Sequence, residues 1–357
     1  MPKYDFPPAP VSLKGRTTEL RALQHRLTDG RIARLALVGG GGSGKSLLAC
    51  AIGHRLRAHF TGGLVWLRVG NWDTTTLFQM FARKMGANPT GGARGLRRTL
   101  GQLGPVLIVL DNHENDAALA RFLDELNVPN VVWLITARRC LLSGVEIFAV
   151  VPPLVTSAQD AFPRVAPLTK LLRWNPLALD IADALVHTRA VSVRALHSWL
   201  LSHGLGQVRV MAHEDDIAEV RGLFEWAWAK LAPASRRQLV VLASSEGDDI
   251  DEASLFALAR TGKGGEQALG ALRRWHLVQE PVTGRFTVHA VIRYAVQTKK
   301  QLPGKLYFDH YVPLLERDKE RVVQEQTHLY AAMDYAHRNS SLVDALRVQE
   351  LATLLGA

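Results

Sequence analysis

The sequence predicts an α/β domain built on a parallel sheet, followed by mainly helical domains. Three observations predict it. Short apolar runs alternate with amphipathic stretches from residue 31 to about 151. A glycine-rich loop joins the first such run to the first such stretch. After Pro152-Pro153 the strand pattern stops and helical spacing takes over. The alternation implies parallel strands covered by helices on both faces.

A Pro-rich arm opens the chain. Leu20, Leu23 and Leu27 then have helical spacing, and Asp29-Gly30 stops that helix. The strand-like runs are Leu35–Val38, Leu64–Val69, Val106–Leu110, Val131–Thr136 and Ile147–Val151. Between them lie the helix-like stretches Lys45–Phe60, Thr76–Met85, Leu96–Leu103 and Asp116–Leu126. Residues 154–205 read as helices, including Ala178–Val186 and Val193–Ser202. The stretch 217–300 is helical up to Leu277, where a short apolar run, a Thr283-Gly284 turn and Arg285–Val288 suggest a two-stranded wing. Helices before a small hairpin suggest a winged helix. The remaining residues are helical again, with Ser340 placed to cap Leu342–Leu355. The domains expected are therefore 1–30 as an arm and helix, 31–153 as the α/β domain, 154–215 as a helical domain, 216–300 as a winged helix, and 301–357 as a helical segment.

Composition bounds the function. At 357 residues the chain exceeds one ordinary core, and ~150 residues per domain gives two to three domains. Apolar residues make up 47% and charged residues 21%, which excludes disorder as the main state. Cys50 and Cys140 cannot make a disulfide framework and lack metal-ligand spacing, so a reduced, cytoplasmic setting is expected. The N-terminus has no apolar signal-peptide core. No run of ~18 apolar residues is present, so no membrane span is expected. The net charge of +10 permits nucleic acid or an acidic membrane as partner, and a solvated basic surface accounts for it as well.

The most specific signal is Gly39-Gly40-Gly41-Gly42-Ser43-Gly44-Lys45-Ser46. It follows the run Leu35–Val38 and opens an apolar helix, the context that a phosphate-binding loop requires. Glycines let the backbone curl until its N–H groups point at phosphate oxygens. The helix N-terminus adds partial positive charge. Lys45 is expected to reach the β- and γ-phosphates, and Ser46 to ligate Mg²⁺. With Leu47 these residues form the expected nucleotide-contacting set. Asp111 ends the apolar run Val106–Leu110 and is the expected acidic partner of the metal, through its water shell. Many hydrolysing enzymes with this loop place a second carboxylate directly after that Asp. Here Asn112 stands there and cannot accept a proton; Glu114 or His113 could substitute, and hydrolysis is expected to be slow. Glu114 is also placed to cap the following helix. Thr136-Ala137-Arg138 ends another strand, where Arg138 is placed to sense a γ-phosphate.

Gly15-Arg16, the phosphate loop, Leu110-Asp111-Asn112, Thr136-Ala137-Arg138, Asn175-Pro176-Leu177-Ala178-Leu179 and Val288-His289-Ala290 occur in one order. That order resembles the NB-ARC class of STAND signal-transduction ATPases, in its bacterial branch, over about residues 11–355. The stretch Phe224–Ala234 is also similar to the start of the winged helix in bacterial members. The resemblance implies a five-stranded sheet in the order 2-3-4-1-5 and a switch that is closed with ADP and opened by ATP to assemble. It implies that Gly15-Arg16 lies against adenine, that Pro176 contacts the base, and that His289 reaches the β-phosphate of ADP. Where the family has Gly-Leu-Pro, this chain has Trp174-Asn175-Pro176, so only Pro176 is carried over. Where the family has Met-His-Asp, it has Val288-His289-Ala290. The tail resembles the first helices of a superhelical repeat array, which suggests a core piece of a longer sensor.

The expected partners are nucleotide with Mg²⁺, another copy of the chain in the ATP state, and an unidentified trigger. The rival reading is a nucleic-acid-binding regulator. It would use Leu269–Leu277 as a reading helix, although Leu269, Leu272 and Leu277 are more simply explained as core.

Overall fold

The structure is a computed structural model that describes residues 6–10, 13, 15–70, 72–87, 91–151, 160–204, 218–245, 249–300, 302–322, 324–338 and 342–354. The expected Ser340 cap and the Pro152-Pro153 break lie outside the described residues. The chain divides into two compact units, Met1–Leu179 and Asp180–Ala357.

In the first unit, α1 spans Thr17–Thr28 and β1 Arg34–Val38. Next come α2 (Lys45–Arg55), β2 (Gly63–Arg68), α3 (Thr74–Met85) and α4 (Gly92–Gly101). The unit continues with β3 (Val106–His113), α5 (Asp116–Glu125), β4 (Val131–Ala137) and β5 (Glu146–Ala149). All strand pairs are parallel, and the sheet order is β2-β3-β4-β1-β5, as expected. Alternation along the strands fills both faces. Leu35, Leu37, Leu107, Val109 and Leu134 pack with Leu23 and Leu27 of α1 and Leu48 and Ile52 of α2. Trp133 turns the other way and meets Phe122 of α5 and Phe81 of α3, with ring centroids 5.6 and 5.7 Å apart. The helix α1, assigned to a separate arm by sequence, thus shares the core of the sheet.

One irregularity lies beside the loop that matters most. Leu110 pairs with Ile135, and the next pair is His113 with Ala137. Asp111 and Asn112 therefore face the single residue Thr136, which makes a β-bulge. Asn112 takes φ 59°, a left-handed conformation that Asn tolerates better than most residues. Asn115, rather than Glu114, caps α5, its Oδ1 accepting from the Ala118 N–H at 3.2 Å.

The helix Pro176–His187 spans the boundary between the units. In the second unit, Val193–Trp199 is followed by a π-helical turn, Leu200–Gly204, so the expected single helix changes its winding midway. Helices Ala218–Lys230, Pro233–Ser244, Glu252–Ala259 and Gly265–Arg274 precede the hairpin of β7 (Gln279–Val282) and β8 (Arg285–Thr287). A third antiparallel strand, β6 (Ile250–Asp251), joins it in the order β6-β8-β7. Two residues carry no readable period, so β6 had no sequence signal. Leu269, Leu272 and Leu277 are buried, as the core explanation requires. After Ala290–Gln297, helices Gly304–Arg317, Gln326–Arg338 and Leu342–Thr353 enclose a separate apolar cluster around Val312, Leu315, Leu329 and Val348. Among the described residues, no helix is long and apolar enough to cross a membrane.

Candidate functional site

The loop Gly39–Gly44 leaves β1 and enters α2. Gly42 and Gly44 take φ 73° and 89°, which a residue with a Cβ adopts only at a cost. Space is as tight as the backbone. A Cβ at Gly42 would lie 2.8 Å from Asn175 Oδ1 and 2.9 Å from Leu177 Cβ, and one at Gly39 would strike the Val150 carbonyl. Among the described residues no side chain caps the N-terminus of α2, so its first-turn N–H groups keep their donor capacity for an anion. Ser43 Oγ is buried and has no hydrogen-bond partner among the described residues. A curled glycine backbone, an uncapped helix start and an orphaned hydroxyl fit a phosphate group.

Lys45 Nζ donates to the carbonyls of Gly39 and Gly40 at 2.8 and 2.7 Å, so its charge sits over the loop. Ser46 Oγ donates to Asp111 Oδ1 at 2.6 Å, although the two residues are 65 positions apart. Asp111 is 8% exposed. The same Oδ1 accepts from Thr136 Oγ1 at 2.6 Å, and Thr136 Oγ1 in turn accepts from the Asn112 N–H at 2.9 Å. A hydroxyl and a carboxylate this close offer the hard oxygen donors that Mg²⁺ takes. The residues therefore fit the metal, which would offset phosphate charge when bound.

Arg16 is 3% exposed. Its guanidinium donates to the Ser43 carbonyl at 2.8 Å and the Val151 carbonyl at 2.6 Å, and it pairs with Glu19 at 2.6 Å. It braces the loop against the end of the sheet. Pro176 begins the helix Pro176–His187, where its lack of an N–H does no harm. Its neighbour Asn175 carries more contacts. Nδ2 donates to the Gly41 carbonyl at 2.8 Å, and Oδ1 caps the helix at the Ala178 N–H. The Leu177 N–H donates to the Gly42 carbonyl at 3.2 Å. Asn175 departs from the Gly-Leu-Pro pattern of the family that the sequence resembles, so the resemblance assigns it no role. Trp174 stands where that pattern has glycine, and it takes φ 53°, a conformation that glycine adopts freely.

Arg138 follows the last residue of β4 and is exposed, and Leu47 on the first turn of α2 is 44% exposed. His113 is buried, with Nε2 2.6 Å from Asp116 Oδ1. Burial pushes the Cys50 thiol in α2 up to about 11, and the Asp111 carboxylate adds to the effect. His289 lies in the second unit and is half-buried. Its Nδ1 accepts from the Val291 N–H at 3.2 Å, which places the ring proton of the neutral side chain on Nε2.

No family model matches the chain. The regulatory protein AfsR of Streptomyces griseus is 24% identical over 373 residues, covering 92% of this chain and 38% of that protein. The regulatory protein AfsR of Streptomyces coelicolor is 25% identical over 320 residues, covering 80% of this chain and 32% of that protein. The chain thus spans about a third of the length of the curated relatives it matches. Among solved structures, the signal transduction ATPase with numerous domains from Pyrococcus horikoshii, which carries a tetratricopeptide repeat sensor, superposes with a TM-score of 0.57 at 14% identity. That match covers 99% of this chain and 50% of the other. At such identity the likeness speaks for fold alone. Strand order, phosphate loop and superposition agree: the chain has the fold of a STAND-type P-loop ATPase and is similar in sequence to AfsR regulators.

Proposed function

We propose that the chain is a nucleotide-controlled switch, which binds ATP or ADP with Mg²⁺ in the Gly39–Ser46 loop and hydrolyses ATP slowly. The observation that carries this reading is the 2.6 Å bond between Ser46 Oγ and Asp111 Oδ1, beside a loop whose backbone suits phosphate. Lys45 holds the β- and γ-phosphates, Ser46 ligates the metal, and Asp111 holds its water shell. Arg138 senses the γ-phosphate. Gly15-Arg16 and Pro176 flank the base, with Arg16 also bracing the loop. Residues 216–300 act as a winged helix, and His289 donates through Nε2 to the β-phosphate of ADP. That contact favours a closed state, and ATP favours an open state that self-associates. The shift is one of populations, limited by the difference in affinity between the two states.

The relatives' description as regulatory proteins and the neighbour's as a signal-transduction ATPase support the same reading. Calorimetry with ADP and ATP tests it, using Lys45→Ala as the control. Affinity in the parent that Lys45→Ala abolishes is the expected result, and equal affinity in both overturns the assignment. His289→Ala tests the closed state. The bond it removes is charge-assisted and worth ~1.5–3 kcal/mol, so ADP affinity falls about tenfold or more. Small-angle scattering then reports a more extended molecule.

A further inference from the structure

We propose that Glu114 is the carboxylate that takes the proton of the attacking water, and that Asn112 positions it. The inference rests on the ATPase reading above and names the base that reading leaves open. The residue directly after Asp111 is an amide, which cannot accept a proton. The bulge offsets part of that loss. At φ 59° the backbone of Asn112 departs from the strand, and its side-chain Nδ2 donates to Glu114 Oε1 at 3.1 Å. The Glu114 carboxylate therefore lies against the side chain at the position where a hydrolytic carboxylate would otherwise stand. Its backbone is tied as well, because the Glu114 N–H donates to the Gly70 carbonyl at 3.0 Å beyond the end of β2.

Two sets of hydrogen bonds, linked through the covalent frame of Asn112, connect this carboxylate to Ser46 and Asp111. Ser46 Oγ and Thr136 Oγ1 both donate to Asp111 Oδ1, the Asn112 N–H donates to Thr136 Oγ1, and Asn112 Nδ2 donates to Glu114 Oε1. Glu114 is exposed and can meet water. His113, the other base that the sequence offers, has a side chain only 2% exposed and is paired with Asp116. In the reaction the water oxygen bonds to the γ-phosphorus. The bond from that phosphorus to the β–γ bridging oxygen breaks, and its electron pair stays on ADP. The water proton passes to Glu114, which returns it to solvent.

The test uses the whole chain, with Glu114→Gln and Asn112→Ala beside the parent. General-base loss lowers turnover by about 10²–10⁴-fold, so Glu114→Gln should cleave at least a hundredfold more slowly. It should bind ADP within about twofold of the parent, and nucleotide extracted after incubation should remain ATP. It should also fail to trap ADP with aluminium fluoride. Asn112→Ala should lower kcat while leaving KM and the melting temperature close to the parent's. Parent-like cleavage and trapping by Glu114→Gln overturn the role of Glu114, and an unchanged or raised kcat in Asn112→Ala overturns the positioning role. A parent that binds ATP but never cleaves it overturns the inference while sparing the binding site. A parent that binds no nucleotide overturns the ATPase reading itself.

Discussion

Glu325, fully buried, accepts from both terminal nitrogens of Arg285, at 2.7 and 2.9 Å. Arg285 lies in β8, and Glu325 directly precedes the helix Gln326–Arg338, so the pair joins the small sheet to the C-terminal helices within the second unit. Arg285 also bonds Asp249, and Arg321 bridges Glu325 and Asp251. Burial by itself would raise the Glu325 carboxyl. The hydrogen bond and charge of Arg285, with His328 and Arg321, outweigh it and hold the group below the usual Glu value. A carboxyl depressed in the folded state stabilises the fold above its unfolded value, and the contribution is lost as pH falls through the folded value. Denaturant midpoints measured against pH should therefore fall in the acid range below ordinary Glu titration. Arg285→Ala should cost about 3–5 kcal/mol, because it strands a buried charge. A parent-like midpoint for Arg285→Ala would show that the pair contributes nothing.

Thr136 links Asp111 to Asn112, and through Asp111 it supports the proposed metal site. Its hydroxyl donates to Asp111 and accepts from Asn112, and the residue is 1% exposed. Thr136→Val keeps the shape but strands the Asn112 N–H, a loss of about 1–3 kcal/mol for a buried donor. We expect Mg²⁺-dependent ATP affinity to fall about tenfold, with Mg²⁺-free ADP binding nearly unchanged. Calorimetry with and without Mg²⁺ separates the two, and equal losses in both would point to general unfolding of the loop.

Asn175 ties the loop to the helix that follows it. Asn175→Ala removes the bond to Gly41 and the helix cap together, and a lost cap costs about 1 kcal/mol. The melting temperature should drop by a few degrees and nucleotide affinity several-fold. Asn175→Asp keeps the cap and loses only the donor to Gly41. It should therefore recover stability but not affinity, and recovery of both would remove Asn175 from the site.

Arg16 reaches two carbonyls from one planar group, which a lysine ammonium cannot reproduce. Arg16→Lys should weaken binding of ATP and ADP alike. It should do the same for pyrophosphate, since the brace acts on the loop and not on the base. A loss confined to nucleotides with adenine would instead favour a direct contact with the base.

Cys50 supplies a chemical probe. With its thiol pushed up to about 11, only about one molecule in a thousand is thiolate at pH 8. Iodoacetamide followed by peptide mass mapping should therefore mark Cys140, which is only half-buried, before Cys50. Marking at Cys50 that keeps pace with a free thiol would contradict its burial in α2.

The sequence by itself determined the five strands, their helical cover and the phosphate loop, because each rests on a local pattern: a period along the chain or a fixed spacing of glycines. The expected strand order also matched, although the family resemblance supplied it, since no local period encodes which strands are neighbours. The tertiary structure decided how the site is wired. The bulge at Asn112 depends on the register of β3 against β4, and a register shift leaves no trace in the residues that undergo it. Thr136 became the partner of Asp111 only once those strands lay side by side. Asn175 bonds a loop 134 positions away, and Glu325 meets Arg285 across 40. Such bonds form because packing buries polar groups that must then be satisfied. The choice of partner is made by the assembled core, not by either residue's neighbours in the chain.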